Sequence, residues 1–155
     1  MRKEIKIGDN CPTFELKNQR GELIKSTNLI GEKKLLVYFY PKDGTPGCTK
    51  QACSFRDEYE QFQSYNCEVI GISSDSPSSH EKFAQFHHLN FNVLADDKKE
   101  VRKLFGVPKF LRLLDGRVTY LFNEEGVLIW KFNGLFNAAK HISEAITFLE
   151  KTTVK

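Results

Sequence analysis

The feature that most constrains the fold is the apolar run Leu35–Tyr40, which Pro41 interrupts at once. The run shows no alternation between apolar and polar residues, which is typical of a central strand covered on both faces. The next segment, 42–47, is rich in turn-forming residues. From about Cys48 to Tyr65, small or apolar residues recur every three or four positions. The order predicts a buried strand, a tight loop and a helix in direct succession.

The rest of the chain alternates short apolar runs with helical patterns, as α/β proteins do. Strands are predicted at 14–16 and 23–25 (an N-terminal hairpin), 35–40, 68–73, 91–94, and 118–122 with 127–132 (a second hairpin). Helices are predicted at 48–65, from Ser76 to near His88, from Asp96 or Asp97 to Gly106, and from about Asn137 to Glu150. This order predicts one α/β domain over residues 1–155 with a thioredoxin-like fold. It would have a central mixed sheet flanked by helices and an N-terminal β-hairpin.

Charge and hydropathy exclude several classes of function. The formal net charge of +3 comes from Lys and Arg interspersed with Asp and Glu, so no basic stripe for nucleic acid is expected. No stretch approaches the roughly 18 apolar residues that span a bilayer, so no membrane association is expected. The first residues have no apolar segment after their charges, so no signal peptide is expected. We predict a cytoplasmic location, or an organelle if a transit peptide has been removed.

Cysteines and histidines are the candidate reactive residues. The four cysteines are Cys11, Cys48, Cys53 and Cys67, and the four histidines are His80, His87, His88 and His141. In a reducing compartment these cysteines are expected to be thiols rather than bridges. Neither the C-x-x-C pairs of zinc sites nor an H-x-x-x-H pattern occurs, so no metal is expected. Cys11 and Cys67 have no special setting and are interpreted as structural. Trp130 and the Phe positions are predicted to be core.

Cys48 has the most distinctive setting, because it lies where a strand, a tight loop and a helix N-terminus meet. Helix N-termini present unpaired N–H groups and a partial positive charge, which favour a thiolate over a thiol. Gly44 and Gly47 allow the loop to approach closely, and the Thr45 hydroxyl can donate to the thiolate or to a bound peroxide oxygen. The alternative is that Cys48 is only a small buried apolar residue.

The pattern Pro41-x-x-x-Thr45-x-x-Cys48 resembles the active-site signature of the peroxiredoxins, and the whole segment 38–56 is similar to the peroxiredoxin Q (bacterioferritin comigratory protein) subgroup. In that subgroup a second cysteine follows five residues later, and Cys53 matches it. The resemblance implies that Cys48 is the peroxidatic cysteine, that Thr45 and Arg117 bind the peroxide oxygens, and that Pro41 shields the thiol. Without the resemblance, Arg117 would be interpreted as a surface residue at a strand start.

The resemblance further implies a thiol-dependent peroxidase of hydrogen peroxide and organic hydroperoxides, without cofactor or metal. Cys48 would become a sulfenic acid, Cys53 would resolve it as a disulfide, and thioredoxin or a similar dithiol would reduce that disulfide. A monomer is expected because both thiols are in one chain. The alternatives are a protein thiol–disulfide exchanger, a one-cysteine peroxidase with Cys53 structural, and a non-catalytic module with inert thiols.

The spacing of the two cysteines conflicts with an intact helix. Five residues of ideal α-helix separate two Cα atoms by about 8.7 Å. A disulfide needs them within about 7 Å. We therefore predict that the helix unwinds locally, between about Cys48 and Arg56, in every turnover.

Overall fold

The computed structural model describes residues 3–152. Its strands are β1 Glu15–Asn18, β2 Leu23–Lys25, β3 Lys34–Phe39, β4 Cys67–Ser73, β5 Asn92–Ala95, β6 Lys109–Phe110, β7 Leu114–Asp115, β8 Val118–Phe122 and β9 Leu128–Asn133. Its helices are α1 Ser26–Leu29, α2 Pro46–Asp57, α3 Tyr59–Ser64, α4 Pro77–Phe86, α5 Glu100–Phe105 and α6 Ala138–Thr152. The predicted α/β class and the N-terminal hairpin are confirmed.

The seven-stranded sheet has the order β2-β1-β5-β4-β3-β8-β9. Strand β3 lies near its centre, parallel to β4 and antiparallel to β8, so that Val37 is paired with Ile70 and with Tyr120. Side chains alternate along a strand, so β3 supplies two hydrophobic cores, with Leu36 on one face of the sheet and Leu35 on the other. The continuous apolar run therefore does mark a strand covered on both sides, and the sheet is mixed as predicted.

The predicted single helix from Cys48 to Tyr65 is wrong in two respects. It begins earlier, at Pro46, and it is divided into α2 and α3 at Glu58, whose φ of −99° and ψ of 10° leave the helical repeat. Phe55 and Phe62 are both fully buried on either side of the break. Because the apolar spacing continues across Glu58, periodicity alone could not show the division.

Two other expectations need correction. Phe83 is buried, but Phe86 is 79% exposed, so not every Phe belongs to the core. Trp130 is only partly buried, stacked against Phe132. The ribbon β6–β7 lies in a segment for which the sequence predicted neither strand nor helix. Two-residue strands carry too little hydrophobic periodicity to be recognised.

Two helix ends, the start of α4 and the end of α5, have the caps that the sequence predicts. Ser76 caps α4, its hydroxyl accepting from the Ser79 N–H at 3.2 Å. The prediction that Asp96 or Asp97 caps the next helix is wrong, because α5 begins at Glu100 with Lys99 at its N-cap position. Asp96 nevertheless accepts from the N–H groups of Val101 and Arg102 at 3.0 and 2.8 Å. Helix α5 ends at Gly106 in the left-handed conformation, as expected. None of the helices within residues 3–152 is both long and apolar enough to cross a membrane.

Candidate active site

The N-terminus of α2 positions Cys48 inside the protein. Thr45 is extended and Pro46 occupies the first turn, where a missing N–H costs nothing. Cys48 follows in the same turn and is 1% exposed. Since the loop before it directly follows the central strand β3, the sulfur lies beyond the carboxyl end of that strand, where sites in open α/β sheets form.

Arg117 is brought to Cys48 from the start of β8. Its Nη2 donates to the Cys48 Sγ at 3.5 Å, its Nη1 donates to Gln51 Oε1 at 2.5 Å, and its Nε donates to the Leu135 carbonyl at 3.0 Å. Arg117 is 3% exposed, so its interpretation as a surface residue is excluded. A guanidinium held by three acceptors in this buried setting is a fixed positive charge beside the sulfur.

The contact between Arg117 and the helix explains the glycine before the cysteine. A Cβ at Gly47 would lie 3.0 Å from Arg117 Nη2, which is tighter than an ordinary contact. Any larger residue would push the guanidinium away from Cys48. The glycine thus serves the approach of the arginine, a role that the loop chemistry alone did not indicate.

Arg102 positions both halves of the site, although it was not among the predicted site residues. It is 5% exposed, and its Nη2 donates to the Tyr40 carbonyl at 2.9 Å while its Nη1 donates to the Gly116 carbonyl at 3.1 Å. Tyr40 precedes the loop that carries Cys48, and Gly116 precedes Arg117. Since one guanidinium binds both segments, Arg102 sets the distance between the nucleophile and its cation. No local sequence pattern distinguishes Arg102 from a surface arginine on a short helix, so its role could not be found without the structure.

A polar cluster anchors the loop through Asp43. Its carboxylate accepts from Tyr40 Oη at 2.6 Å and from Ser79 Oγ at 2.9 Å, and it lies 2.7 Å from His80 Nδ1. His80 is fully buried, and its Nε2 lies 2.9 Å from the Leu94 carbonyl, which can only accept. The cluster therefore fastens the loop to α4 and to β5.

The same cluster is the one group of potential metal ligands in residues 3–152. The ligand atoms of Asp43, Asp75 and His80 lie within 4.8 Å of one another. Asp75 Oδ2 already accepts from the Asp43 N–H at 2.8 Å and from Ser73 Oγ at 2.6 Å. These donors account for the carboxylates as hydrogen-bond acceptors, and the absence of a metal site stays a prediction.

His141 supports the turn that holds Arg117. It is fully buried; its Nε2 donates to the Gly134 carbonyl at 2.8 Å, and its Nδ1 accepts from Thr119 Oγ1 at 2.7 Å. Burial lowers the pKa of His141 to about 4, so the ring is neutral near neutral pH and the bare Nδ1 acts as the acceptor. Gly134 is followed by Leu135, whose carbonyl binds Arg117, so the histidine stabilises the orientation of the guanidinium.

The other predicted site residues lie in the same region with different contacts. The Thr45 hydroxyl donates to the Lys42 carbonyl at 3.0 Å rather than to Cys48. Pro41 is half-buried at the start of the loop. Cys53 lies in the same helix as Cys48, partly buried, with its Sγ 3.7 Å from His87 Nδ1. The structure thus gathers the predicted residues around one loop and helix.

Cys11 and Cys67 have the surroundings of unreactive thiols. Burial raises the pKa of Cys11 to about 12. Burial likewise raises the pKa of Cys67 to about 12, and its side chain is fully buried in the core. A thiol that stays protonated is a poor nucleophile, so the chemistry is concentrated on the cysteines of α2.

Known proteins of one family match this chain over most of its length. The profile of the AhpC/TSA family matches residues 7–131. The chloroplastic peroxiredoxin Q of Populus jackii is 45% identical over 148 residues, which is 95% of this chain and 69% of that protein. That of Sedum lineare is 46% identical over 95% of this chain and 79% of its own.

Solved structures agree in fold. The peroxidoxin BcpB of Mycobacterium tuberculosis has a TM-score of 0.89 at 29% identity, covering 97% of this chain and all of that chain. The peroxiredoxin Q of Xanthomonas campestris has a TM-score of 0.82 at 25% identity, covering 90% of both chains. The predicted thioredoxin-like fold and the resemblance to the peroxiredoxin Q subgroup are thereby confirmed. The chain belongs to the AhpC/TSA family and is a peroxiredoxin, a thiol-dependent peroxidase.

Proposed function

We propose that Cys48 is the peroxidatic cysteine, reducing hydrogen peroxide and organic hydroperoxides. The thiolate attacks one peroxide oxygen, the O–O bond breaks, and water or an alcohol leaves after taking up a proton. The sulfur is oxidised to a sulfenic acid as the peroxide is reduced. The observation that carries the proposal is the guanidinium of Arg117 at 3.5 Å from Cys48 Sγ, in a site where both residues are buried.

Arg117, Thr45 and Pro41 have separate roles in this step. Arg117 stabilises the thiolate and the charge that develops on the leaving oxygen. Thr45 has to exchange its bond to the Lys42 carbonyl for one to the bound peroxide, which requires only rotation of a partly exposed hydroxyl. Pro41 limits the access of water from the start of the loop.

Cys53 is proposed to resolve the sulfenic acid. Both cysteines lie within α2, and the helical separation of about 8.7 Å exceeds what a disulfide allows. Unwinding of α2 must therefore precede the bond. Thiol and sulfenic acid then condense to a disulfide and water, which protects Cys48 from irreversible oxidation to a sulfinic acid.

Hydrogen exchange of reduced and oxidised protein tests the unwinding. The amides from Thr49 to Arg56 should be protected in the reduced form and should lose that protection in the oxidised form. Amides in the pairing of β4 with β5 serve as the internal control, since their hydrogen bonds lie within the sheet and not in α2. Equal protection of α2 in the two redox states contradicts the proposal.

Two cysteine variants separate the roles of the thiols. Cys48→Ser should abolish peroxide reduction, whereas Cys53→Ser should complete one turnover and then stall with a dithiol reductant. Cys11→Ser is the matched control and should retain the rate of the unsubstituted protein. Steady turnover by Cys53→Ser would support the one-cysteine alternative.

The reductant is proposed to be thioredoxin or a similar dithiol protein, because the product of resolution is an intramolecular disulfide. Peroxide consumption with and without a thioredoxin system tests this. Disulfide exchange on proteins without peroxide consumption would favour the rival exchanger.

The remaining proposals are one domain over residues 1–155, a monomer, and a cytoplasmic location. The curated plant relatives are named chloroplastic, so an organelle is the second candidate. Sedimentation in both redox states tests the monomer, and cell fractionation tests the location.

A further inference from the structure

The C-terminal end of α4 holds the turn of α2 that carries Cys53. His87 follows the last residue of α4, and its Nδ1 lies 3.7 Å from Cys53 Sγ. One turn further along α2, Arg56 Nη1 donates to the His87 carbonyl at 2.7 Å. The same histidine therefore contacts α2 through both its ring and its backbone.

The His87 ring is held in place by its neighbours. Phe83 and Phe86 both contact it edge to face, with ring centroids 4.9 Å away in each case. Its backbone N–H donates to the Phe83 carbonyl at 3.1 Å. The position of Nδ1 beside the sulfur is thus set by packing and by the helix end.

The contact has the chemistry of a proton transfer. A neutral imidazole has one nitrogen that accepts and one that donates, and a thiol is a weak donor. With the hydrogen on Nε2, Nδ1 is free to accept the proton of Cys53. Histidine is the side chain that most readily exchanges protons near neutral pH.

We propose that His87 is the proton acceptor for Cys53 in the resolving step, an inference that rests on the function proposed above. The proton of the Cys53 thiol passes to His87 Nδ1 while α2 is helical, and unwinding then carries the thiolate to Cys48. The thiolate attacks the sulfenic sulfur, an S–S bond forms, and the S–O bond breaks. Cys53 is oxidised, Cys48 is reduced, and the leaving hydroxide takes a proton to become water.

Charged groups from three elements surround His87. Arg56 on α2 binds the His87 carbonyl and pairs with Asp57 at 2.9 Å. Lys82 on α4 and Asp43 on the loop line the same groove as His87, and the Asp43 carboxylate is already bonded within its own cluster. Transfer of the proton creates a thiolate and an imidazolium side by side, so the net charge of the site does not change.

The test measures formation of the Cys48–Cys53 disulfide after one equivalent of peroxide, by rapid acid quench and mass spectrometry, between about pH 5 and pH 8. His87→Phe keeps an aromatic ring against its neighbours and removes both nitrogens. His87→Asn keeps a hydrogen-bond acceptor that does not take up a proton. His88→Asn is the matched control, because His88 is exposed and adopts a φ of 53°, which asparagine tolerates.

We expect both His87 variants to form the disulfide at least about 100-fold more slowly than wild type near neutral pH, with more sulfinic acid at Cys48. Their rates should rise steadily with pH as the unassisted thiol ionises, whereas the wild-type rate should level off once the imidazole is neutral. The first oxidation of Cys48 should keep its wild-type rate in all variants.

Three outcomes overturn parts of this scheme, and they are distinguishable. Wild-type rates and pH profiles in both His87 variants refute the role of His87 and leave the proposed function standing. Full recovery by His87→Asn alone refutes proton transfer and reduces the contact to a hydrogen bond. Failure of the wild-type protein itself to form the disulfide refutes the proposed resolving role of Cys53.

Discussion

Replacing Arg117 by methionine removes the fixed charge beside the nucleophile while keeping an unbranched side chain in the buried site. The nearest guanidinium nitrogen is 3.5 Å from the Cys48 sulfur. At an effective dielectric constant near 20, two unit charges at that distance interact by about 4–5 kcal/mol. The cost of removing both ions from water offsets part of this attraction. Removal of a single hydrogen-bond donor from an oxyanion hole raises the activation free energy by about 2.7–4 kcal/mol, which is a comparable loss. We expect peroxide oxidation of Cys48 to slow by about 10²- to 10³-fold.

The assay is stopped-flow oxidation of Cys48 by hydrogen peroxide in a Cys53→Ser background, which isolates the first step from resolution. Arg117→Lys should be intermediate, because an ammonium keeps the charge but cannot bind Gln51, Leu135 and the sulfur together. Arg20→Met, at an exposed arginine, is the matched control and should oxidise at the parental rate.

Stability has to be measured alongside, because the substitution leaves the Gln51 oxygen and the Leu135 carbonyl without their donor. Each such loss costs about 1–3 kcal/mol of the free energy of unfolding when the group is buried. Urea unfolding will show whether each variant is folded at the assay temperature. A folded Arg117→Met protein whose Cys48 oxidises within about threefold of the parent would refute the electrostatic role of Arg117.

Three further predictions concern the scaffold. Gly71→Ala should lower the free energy of unfolding by about 1–3 kcal/mol, since its Cβ would lie 2.7 Å from Tyr38 Cζ, whereas Gly134→Ala, with 3.6 Å contacts, should change it little in urea unfolding. Because the folded protein lowers the pKa of His141 to about 4, the unfolded chain binds the proton more tightly. The contribution of neutral His141 to the free energy of unfolding should therefore be fully present above about pH 6.5 and should fall by up to about 3 kcal/mol as the pH approaches 4. The free energy of unfolding of a His141→Gln protein should fall less over that range. Cys67 should resist iodoacetamide in the native protein at neutral pH and react after unfolding, because burial raises its pKa to about 12; fast native labelling would contradict that environment.

The sequence by itself determined the elements whose physics is local. The unbroken apolar run of β3 indicated a strand buried on both faces, and Ser76 with Pro77 indicated the start of α4. The loop chemistry before Cys48 indicated a helix N-terminus, and the motif around it indicated the family. These patterns depend on side-chain periodicity and on backbone preference. Both are properties of residues that are close together in the chain, so the sequence shows them directly.

The residues around Cys48 do not show which distant groups contact its sulfur: only the family resemblance pointed to Arg117, and only the tertiary structure shows the contact and its distance. Arg117 is 69 residues from Cys48 in the chain, and its contact depends on the antiparallel pairing of β8 with β3. Arg102 donates to a backbone carbonyl directly after β3, and the ring of His87 lies beside Cys53 of α2. No local pattern distinguishes these two residues from surface residues. The break at Glu58 was equally invisible, because apolar spacing continued across it. Local preference sets the elements, but the register of the sheet and the packing of helices on it set the distances between charges, and the chemistry follows from those distances.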